Sequence, residues 1–394
     1  MWVFEILLVI YALKVCVWCG LMITKRRSRS TAPRTLPVSL PSVDIVLPMY
    51  NEENVIADTL DNLLKVNYKN LSIIVVDDGS TDRSLAIVNN LFGGHPRVRI
   101  IHQPNRGKSS ALNNATRSSQ SDIIVCIDAD THVRPDAIDI ILPYFQDERV
   151  ASVSGYVKVG NRTNLITEMQ YFEYITIQDY DRILFEPLNG ILVVPGALGA
   201  FRRRDVVAVG GFMTDTLAED CDITIRMLCR NYVIRNAAAA IAYTEAPVTI
   251  EMFLKQRIRW TIGLIQGLMK HGRHLFLQPN KALAWVVVPY TWLYRVILPF
   301  LLILVDYFAI CNLLMKGKAE LAICYLLFLV VDTAINYYIL RQAREQAGIL
   351  KLMLLQRIYR HLTCITFLRV CLRFWKGNLH GWIKIPRQGN IELD

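Results

Sequence analysis

The chain has 394 residues, of which 53% are hydrophobic and 20% are charged. Soluble proteins average about 45–50% apolar and 25% charged residues, so this composition excludes a disordered, collagen-like or small disulfide-stapled protein. The formal net charge of +10 is concentrated in residues 24–40 (+5) and 341–394 (+7), which leaves −2 for the rest, and basic residues that flank apolar segments favour a membrane surface over a nucleic acid as partner.

The first predicted element is a membrane anchor within residues 1–24. Residues 2–23 are long enough to cross a bilayer as a helix, although Glu5 and Lys14 interrupt them. A cleaved signal peptide is the alternative, but it places its basic residues before the apolar run, and here they follow it. The positive-inside rule predicts that the chain is cytoplasmic after the anchor. Residues 25–41 are basic and rich in serine and proline, which predicts a linker.

Residues 42–254 alternate short β-branched runs with helical patterns, which predicts an α/β domain with a mostly parallel, Rossmann-like sheet. The predicted elements are the strands Val43–Leu47, Ser72–Val76, Val98–His102 and Ile123–Ile127 and the helices Asn54–Leu64 and Arg83–Leu91. Three of these strands run into polar clusters with the sequences PMYNEE, DDGSTD and DAD. Because ligands of such sheets bind at the carboxyl ends of the strands, the three clusters predict one shared site.

Each cluster has more than one chemical interpretation. Asp128 and Asp130 put two carboxylates on the same side of a strand end, which suits Mg²⁺ or Mn²⁺ bound together with a diphosphate, whereas helix capping is the alternative. Asp77 and Asp78 either form a tight turn or hold a nucleotide. Lys108 is either a solvated lysine or a diphosphate contact near a helix N-terminus. GxxxxGK[ST] is absent and no GxGxxG follows the first strand, which argues against a P-loop ATPase and a dinucleotide enzyme.

Two further groups lie near the end of this region. The first begins a predicted amphipathic helix and consists of Glu219, Asp220 and Asp222. One interpretation is structural, because the helix dipole favours acidic residues at a helix N-terminus. The other is that one of these acids is a general base in a partly desolvated cleft. The second, within residues 255–280, comprises Gln256, Arg259 and Trp260. That stretch is either an interfacial helix or a clamp for a charged leaving group with a surface for a sugar ring.

Residues 281–377 predict further transmembrane or interfacial helices, and residues 378–394 a cytoplasmic or loop tail. The candidate spans are 284–308, with kinks at Pro289 and Pro299, and 321–340. Residues 349–371 form either a poor span packed on the others or an amphipathic helix on the inner leaflet. Three charged residues within these apolar segments would be costly in lipid, namely Arg295, Asp306 and Asp332. They are expected to pair with other charges, to line a substrate pathway or to lie near the membrane interface.

Four motifs occur in sequence between the predicted membrane segments: Asp77-Asp78, Asp128-x-Asp130, Glu219-Asp220 and Gln256-x-x-Arg259-Trp260. In this order they resemble the motifs of the processive inverting glycosyltransferases of family 2, which include cellulose, chitin and hyaluronan synthases. The resemblance covers roughly residues 42–272. The amino-acid sequence of residues 215–227 and 253–263 is most similar to that of the bacterial poly-β-1,6-N-acetylglucosamine synthases of that family. Ala218 departs from the threonine that the family often has, and the chain is short for a protein that forms its own polymer channel.

The resemblance implies a GT-A fold, a UDP-sugar donor, a Mg²⁺ or Mn²⁺ cofactor and a growing polysaccharide as acceptor, with β-linked N-acetylglucosamine as the expected sugar. It implies that Asp220 is the base, that Glu219 belongs to the same catalytic group, and that Asp130 with Asp128 binds the metal. It implies that the substrates contact Tyr50, Glu52, Asp77, Asp78, Lys108, Asp128, Gln256, Arg257, Arg259 and Trp260.

The expected location is the inner (plasma) membrane, as a multi-pass protein with a cytoplasmic catalytic domain. Membrane lipid and a small accessory membrane subunit are the other expected partners, and nucleic acid is not one. Two other functions stay open. A non-processive transferase that adds one sugar to a lipid shares the Asp-x-Asp motif but usually needs no Gln-x-x-Arg-Trp. A catalytically silent membrane scaffold has no need of a base at Asp220.

Overall fold

A computed structural model describes residues 9–13, 15–21, 41–315, 319–377 and 387–391. The start of the predicted anchor, its interrupting residue Lys14, nearly all of the basic linker and most of the predicted tail lie outside these residues. The remaining predictions can be compared with the structure.

Eight strands form one sheet in the order β3-β2-β1-β4-β7-β6-β8-β5. They are β1 Val43–Met49, β2 Leu71–Asp77, β3 Val98–His102, β4 Ile123–Cys126, β5 Thr131–Val133, β6 Val150–Val159, β7 Gly199–Arg202 and β8 Val233–Thr244. The pairings β1–β2, β1–β4, β2–β3 and β6–β8 are parallel, and β4–β7, β6–β7 and β5–β8 are antiparallel. The predicted α/β sheet is confirmed, and it is mixed because β7 enters antiparallel between β4 and β6 and because β5 pairs antiparallel with β8 at the edge.

All four predicted strands occur, with ends within two residues of the predicted bounds. Strand β1 is buried along nearly its whole length, including residues of both alternating faces. Such burial is typical of a parallel strand that is covered on both sides of the sheet. The polar clusters therefore lie where the buried strands emerge, at the edge formed by their carboxyl ends.

Helices surround the sheet and continue beyond it. The α-helices are α1 Val9–Leu21, α2 Ile56–Leu64, α3 Ser84–Phe92, α4 Lys108–Ser118, α5 Ala137–Ile141, α6 Leu165–Glu173, α7 Tyr180–Phe185, α8 Arg203–Ala208, α9 Glu219–Cys229, α10 Ile250–Leu277, α11 Val288–Tyr290, α12 Leu298–Leu314, α13 Ala319–Gln342 and α14 Ile349–Trp375. The 3₁₀ segments are Leu142–Gln146 and Glu186–Leu188, and the π-helical segments are Tyr174–Asp179, Leu283–Val287 and Thr291–Ile297. Helix α10 packs against both α9 and α14 and so connects the sheet domain to the C-terminal helices.

By length and composition, one helix of the described chain, α13, is apolar enough to cross a membrane. Leu283–Ile297 and Leu301–Asn312 meet the same criterion only as a pair, bent by 47°. Pro299 lies in the break, where proline removes a backbone donor and interrupts the helix, so the predicted span at 284–308 is a broken helix. Helix α14 does not meet the criterion, since it carries five lysine or arginine residues.

The charged residues predicted to be costly in lipid are all paired. The pairs are Arg295 with Asp181, and both Arg357 and Arg360 with both Asp306 and Asp332. The last two arginines belong to α14, and the two aspartates to α12 and α13. Pairing explains how these charges are accommodated among apolar helices.

Candidate active site

The loops that follow β1 and β2 are tied to each other. Tyr50 and Glu52 lie just after β1 and are half-buried. Asn51 between them has a φ of 54°, a left-handed conformation that asparagine tolerates better than most residues. Its side-chain oxygen accepts hydrogen bonds from the backbone N–H groups of Thr81 at 2.7 Å and Asp82 at 3.3 Å. The two predicted nucleotide-binding loops therefore form one surface.

Asp77 and Asp78 organise this edge of the sheet. Asp77 is fully buried, and its Oδ2 atom lies 2.7 Å from His102 Nδ1. Asp78 accepts hydrogen bonds from the backbone N–H groups of Arg106 at 2.9 Å and Gly107 at 2.8 Å, just before α4. Both carboxylates thus shape the loops, in agreement with the turn-forming interpretation, and they stand beside the site predicted for the nucleotide.

Lys108, the first residue of α4, lies between two carboxylates. Its Nζ atom is 2.5 Å from Asp128 Oδ1 and 3.0 Å from Glu219 Oε1. Gly196 leaves room for it, since a Cβ there would lie 2.8 Å from the same nitrogen. Burial lowers the pKa of Lys108, but Asp128, Glu219 and Asp220 raise it above its ordinary value. The lysine is therefore a fixed, charged group rather than a freely solvated one.

Asp220 lies in the first turn of α9, next to Glu219. It is the second residue of α9, and its Oδ1 atom accepts a hydrogen bond from the backbone N–H of Cys221 at 2.8 Å. Burial and the charge of Glu219 raise the pKa of Asp220 to about 6, while Lys108 and Arg259 act in the opposite direction. A carboxyl group of this pKa is mostly ionised at pH 7 and still basic enough to assist the loss of a hydroxyl proton.

Small residues allow α9 and α10 to approach each other closely. A Cβ at Gly263 of α10 would lie 2.5 Å from the Cβ of Ala218, directly before α9, and one at Gly267 would lie 3.2 Å from Ile225. The backbone N–H of Leu217 also donates to Gln266 Oε1 at 2.9 Å. This contact places the two motifs, Glu219-Asp220 and Gln256-x-x-Arg259-Trp260, side by side.

Within α10 the predicted substrate-binding residues differ in their surroundings. Arg259 and Trp260 are half-buried, whereas Gln256 and Arg257 are buried. The Arg257 guanidinium binds Glu173 and the Gln256 side-chain oxygen, and it lies 4.3 Å from the centroid of the Trp260 ring. Arg257 therefore faces the protein interior and supports the tryptophan, a role that the sequence pattern does not indicate.

Asp128 and Asp130 follow β4 in different environments. Asp128 is 33% exposed and pairs with Lys108, whereas Asp130 is 7% exposed, with its Oδ2 atom 2.7 Å from Nε of Arg387. In the part of the chain that the structure describes, no group of three or more His, Cys, Asp and Glu side chains could enclose a metal ion. Two carboxylates nevertheless fit Mg²⁺ or Mn²⁺, which take one or two protein carboxylates and fill their remaining positions with phosphate oxygens and water. The sequence motifs do not include Arg387, since a lone arginine in the tail carries no local signal for this contact.

Known proteins are similar to this chain in both sequence and fold. Residues 44–210 match the family described as Glycosyl transferase family 2. Poly-beta-1,6-N-acetyl-D-glucosamine synthase of Staphylococcus aureus is 29% identical over 225 residues, which cover 57% of this chain and 55% of that protein. The synthase of the same name from Staphylococcus epidermidis is 26% identical over 237 residues, 60% of this chain and 58% of that protein. The chain thus spans somewhat more than half the length of the curated relatives that it matches.

The fold also has a solved counterpart. The mannosyltransferase PcManGT from Pyrobaculum calidifontis, solved in complex with GDP-Man and Mn²⁺, superposes with a TM-score of 0.62 at 21% identity, over 92% of this chain and 99% of that chain. This likeness confirms the predicted GT-A fold. Residues 44–210 thus match glycosyltransferase family 2 in sequence, and the chain has the GT-A fold.

Proposed function

We propose that this protein is a membrane-embedded inverting glycosyltransferase that polymerises β-linked N-acetylglucosamine from a UDP-sugar. The observation that carries the proposal is the position of Asp220 in the first turn of α9, next to Glu219, which binds the Lys108 ammonium group at 3.0 Å. A base and fixed positive charges are what the attack of a hydroxyl group on a nucleotide sugar requires.

In the proposed reaction, Asp220 takes the proton of the acceptor hydroxyl as its oxygen attacks the anomeric carbon. The bond from that carbon to the diphosphate breaks on the opposite side, which inverts the configuration. Lys108 and Arg259 offset the negative charge that develops on the leaving diphosphate. Asp128 and Asp130 would hold a Mg²⁺ or Mn²⁺ ion, which supplies further positive charge to the diphosphate when bound.

The proposed nucleotide contacts are Tyr50 and Glu52 in the loop after β1, together with the loop after β2 that the buried carboxylates of Asp77 and Asp78 shape. They follow β1 and β2 at the edge where open α/β sheets bind their ligands, and they adjoin the N-terminus of α4. The complex of the Pyrobaculum mannosyltransferase with GDP-Man and Mn²⁺ supports a nucleotide sugar and a divalent metal on this fold.

The proposed acceptor contacts are Gln256 and Trp260, since a tryptophan face binds sugar rings well. Glu173, which pairs with Arg257 next to Trp260, also lines a cavity of about 190 Å³ among the helices. Several aromatic side chains line that cavity, including Trp18, Tyr180, Tyr290, Tyr294 and Tyr359. The Glu173–Arg257 ion pair therefore separates this aromatic cavity from the proposed acceptor residues.

The choice of N-acetylglucosamine and of a polymer rests on the two staphylococcal synthases, which match a little over half of their length. The proposal places the protein in the inner (plasma) membrane as a multi-pass protein in contact with lipid, with a small accessory membrane subunit. Helix α13 supports this location. The proposed division is an anchor at 1–24, a linker at 25–41, the GT-A domain at 42–254, the Gln-Arg-Trp region at 255–280, C-terminal helices at 281–377 and a tail at 378–394.

The test uses membranes that contain the full chain, with Mg²⁺ or Mn²⁺ and a panel of radiolabelled UDP-sugars. We expect high-molecular-weight label from UDP-N-acetylglucosamine. The Asp220→Asn variant should lose incorporation but retain UDP binding, because it removes the base and leaves the proposed nucleotide contacts. Asp136→Asn, an exposed acid that pairs with Arg134, is the matched control and should keep full activity.

The product size separates the alternatives. Label confined to a lipid that carries one sugar would replace the polymer synthase with a single-addition transferase. Full polymer yield from Asp220→Asn would overturn the assignment of the base. No label from any donor would favour the catalytically silent scaffold.

A further inference from the structure

A turn at Gly210 and Gly211 leads from α8 toward α9, the helix that carries the proposed base. Gly211 has a φ of 74°, in the left-handed region that favours glycine. Phe212 directly after it is 3% exposed, and its ring centroid lies 5.9 Å from that of Phe201 in β7. The turn is therefore packed into the domain, and residues 213–218 connect it to α9.

Asn113 of α4 holds this turn with both ends of its side-chain amide. Its Nδ2 atom donates to the Phe212 carbonyl oxygen at 2.6 Å, and its Oδ1 atom accepts from the Phe212 backbone N–H at 2.8 Å. The Ser109 hydroxyl, one turn earlier on α4, donates to the Met213 carbonyl oxygen at 2.8 Å. A Cβ at Gly211 would collide with Asn113 Oδ1, so the glycine leaves room for the amide. These hydrogen bonds fasten the turn to α4.

The other side of the turn is fastened to α9. The Arg226 guanidinium donates to the carbonyl oxygens of Val209 and Gly211 at 2.6 Å each. Its Nε atom lies 2.7 Å from the buried carboxylate of Asp222. Because Arg226 and Asp222 both belong to α9, the turn connects α4 on one side with α9 on the other.

Each of these two helices brings a charged group to the candidate site. Helix α4 begins at Lys108 and α9 at Glu219, next to Asp220, and Lys108 Nζ lies 3.0 Å from Glu219 Oε1. Burial and the charge of Glu219 raise the pKa of Asp220. Lys108, and Arg259 of α10, act in the opposite direction. The distance between α4 and the start of α9 therefore decides how strongly Lys108 acts on Asp220.

We propose that Asn113 is a positioning residue for the transfer reaction, which fixes Lys108 relative to Asp220 through the turn at residues 210–213. The inference rests on the proposed function in taking Asp220 as the base and Lys108 as a contact of the leaving diphosphate. Asn113 acts through the backbone of Phe212 and not on the substrate. The base and the cation are needed in the same transition state, and a misplacement of about 1 Å can cost about 100-fold in rate.

The first test compares Asn113→Ala with Asn189→Ala in the UDP-sugar assay on the full chain. Asn189 makes the same kind of amide contact at the start of β8, with the Tyr232 carbonyl oxygen at 2.8 Å and the Ile234 backbone N–H at 2.9 Å. We expect Asn113→Ala to lower kcat about tenfold and to leave KM for the donor nearly unchanged, because the nucleotide loops stay in place. Asn189→Ala should lower the thermal unfolding midpoint to a similar extent and retain kcat.

The second test measures whether Lys108 still acts on Asp220. In the otherwise unaltered chain, Lys108→Met should raise the midpoint of the pH–rate profile, because the lysine lowers the pKa of Asp220. In the Asn113→Ala background this upward shift should shrink, since the two groups are no longer held together. In the Asn189→Ala background it should keep its full size. Loss of stability alone does not change the shift, so the comparison separates positioning from folding.

Hydrogen–deuterium exchange supplies a readout that needs no activity. The backbone N–H of Asp222 donates to the Ala218 carbonyl oxygen at 3.0 Å and reports on the first turn of α9. Its exchange in the detergent-solubilised chain should be faster in Asn113→Ala than in the unaltered chain. Asn189→Ala should leave it unchanged.

Gly211→Ala disturbs the same turn from its other side. The added Cβ meets Asn113 Oδ1, and the φ of 74° disfavours alanine. We expect the same three effects, namely a lower kcat, a smaller shift by Lys108→Met and faster exchange at Asp222. This variant tests the inference independently if Asn113→Ala does not fold.

The opposite results are also decisive. A full-size Lys108→Met shift in the Asn113→Ala background, or a loss of kcat that Asn189→Ala shares, would overturn the positioning role while the proposed function stands. Unchanged exchange at Asp222 would overturn it as well, whatever the activity. Faster exchange at Asp222 in a protein that transfers no sugar from any donor would overturn the proposed function alone.

Discussion

At the scale of single residues, the pKa of Asp220 predicts how the reaction rate depends on pH. Only the ionised carboxylate can accept the acceptor proton, so the rate should rise through pH 6 and level off above pH 7, with about a tenth remaining at pH 5. Initial rates of sugar incorporation between pH 5 and 8 test this.

Two neighbours of Asp220 supply internal controls for this profile. Glu219 raises the pKa of Asp220 and Lys108 lowers it. Glu219→Gln should therefore move the midpoint of the profile below pH 6, and Lys108→Met should move it above. A rate that is constant from pH 5 to 8, or midpoints that move in the same direction, would contradict the assignment of Asp220 as the base.

The pair of Arg257 and Glu173 predicts an effect on stability. Both side chains are less than 10% exposed, so Glu173→Gln leaves a buried positive charge without its partner. We expect this to lower the free energy of unfolding by about 3–5 kcal/mol, as for other broken buried pairs. Glu148→Gln breaks the exposed pair with Arg204 and should cost about 0–1 kcal/mol. Thermal unfolding in one detergent compares the two variants, and equal midpoints would show that the buried pair is dispensable.

The residues of the candidate site were predictable to different degrees. Asp128, Asp130 and Asp220 follow strands or begin a helix, where local periodicity shows the position of a side chain in the fold. Arg387 and Glu173 are separated in sequence from the residues they bind, so only the tertiary structure brings them into the site. Local patterns therefore identify reactive groups more readily than the distant groups that contact them.

At the scale of secondary-structure elements, the relation of α9 to α10 depends on one buried carboxylate. Asp222 of α9 is fully buried and is bound by Arg226 at 2.7 Å, and by Lys270 and His271 of α10 at 2.9 Å each. Burial alone would raise the pKa of Asp222, but these three partners hold it well below the usual range, so the side chain stays ionised. Arg226 belongs to α9 itself, so the bonds from Lys270 and His271 are the ones that fix the helix carrying the base against the helix carrying Arg259.

Asp222→Asn should therefore lower kcat more than it raises KM for the donor, because the base shifts relative to the leaving group while the nucleotide loops are unchanged. We expect a loss in kcat of about 100-fold, as for small misplacements of catalytic groups. Asp215→Asn removes only the exposed bond of Lys270 and is the matched control. A rise in KM at constant kcat would mean that Asp222 serves substrate binding and does not position the base.

The elements themselves show what sequence patterns can and cannot provide. The four predicted strands were located to within two residues because buried β-branched runs are bounded by polar clusters. The antiparallel entry of β7 could not be foreseen, since a four-residue strand shows no sign of its neighbours. The span predicted at 284–308 is broken and bent for a reason that the prolines already indicated.

At the scale of the whole molecule, the sheet domain and the C-terminal helices share one continuous hydrophobic core. The core includes Ile45 of β1 as well as Leu340 of α13 and Leu355 of α14. Within it, two arginines of α14 bind aspartates from both α12 and α13. These ion pairs connect three helices that belong to the proposed membrane region, so the arrangement of that region depends on charge as well as on apolar packing.

This arrangement predicts a coupling between Arg360 and Asp332, which are 8% and 11% exposed and lie 3.1 Å apart. Arg360→Met and Asp332→Leu should each lower the unfolding midpoint, since each leaves a buried charge poorly compensated. The double variant should recover part of the loss, because apolar side chains can replace a buried ion pair, and a double-mutant cycle should give a coupling of about 1–3 kcal/mol. The exposed pair of Arg149 and Asp147 should give about 0.2–1 kcal/mol in the same detergent. Additive losses from Arg360→Met and Asp332→Leu would mean that apolar packing alone holds the three helices together.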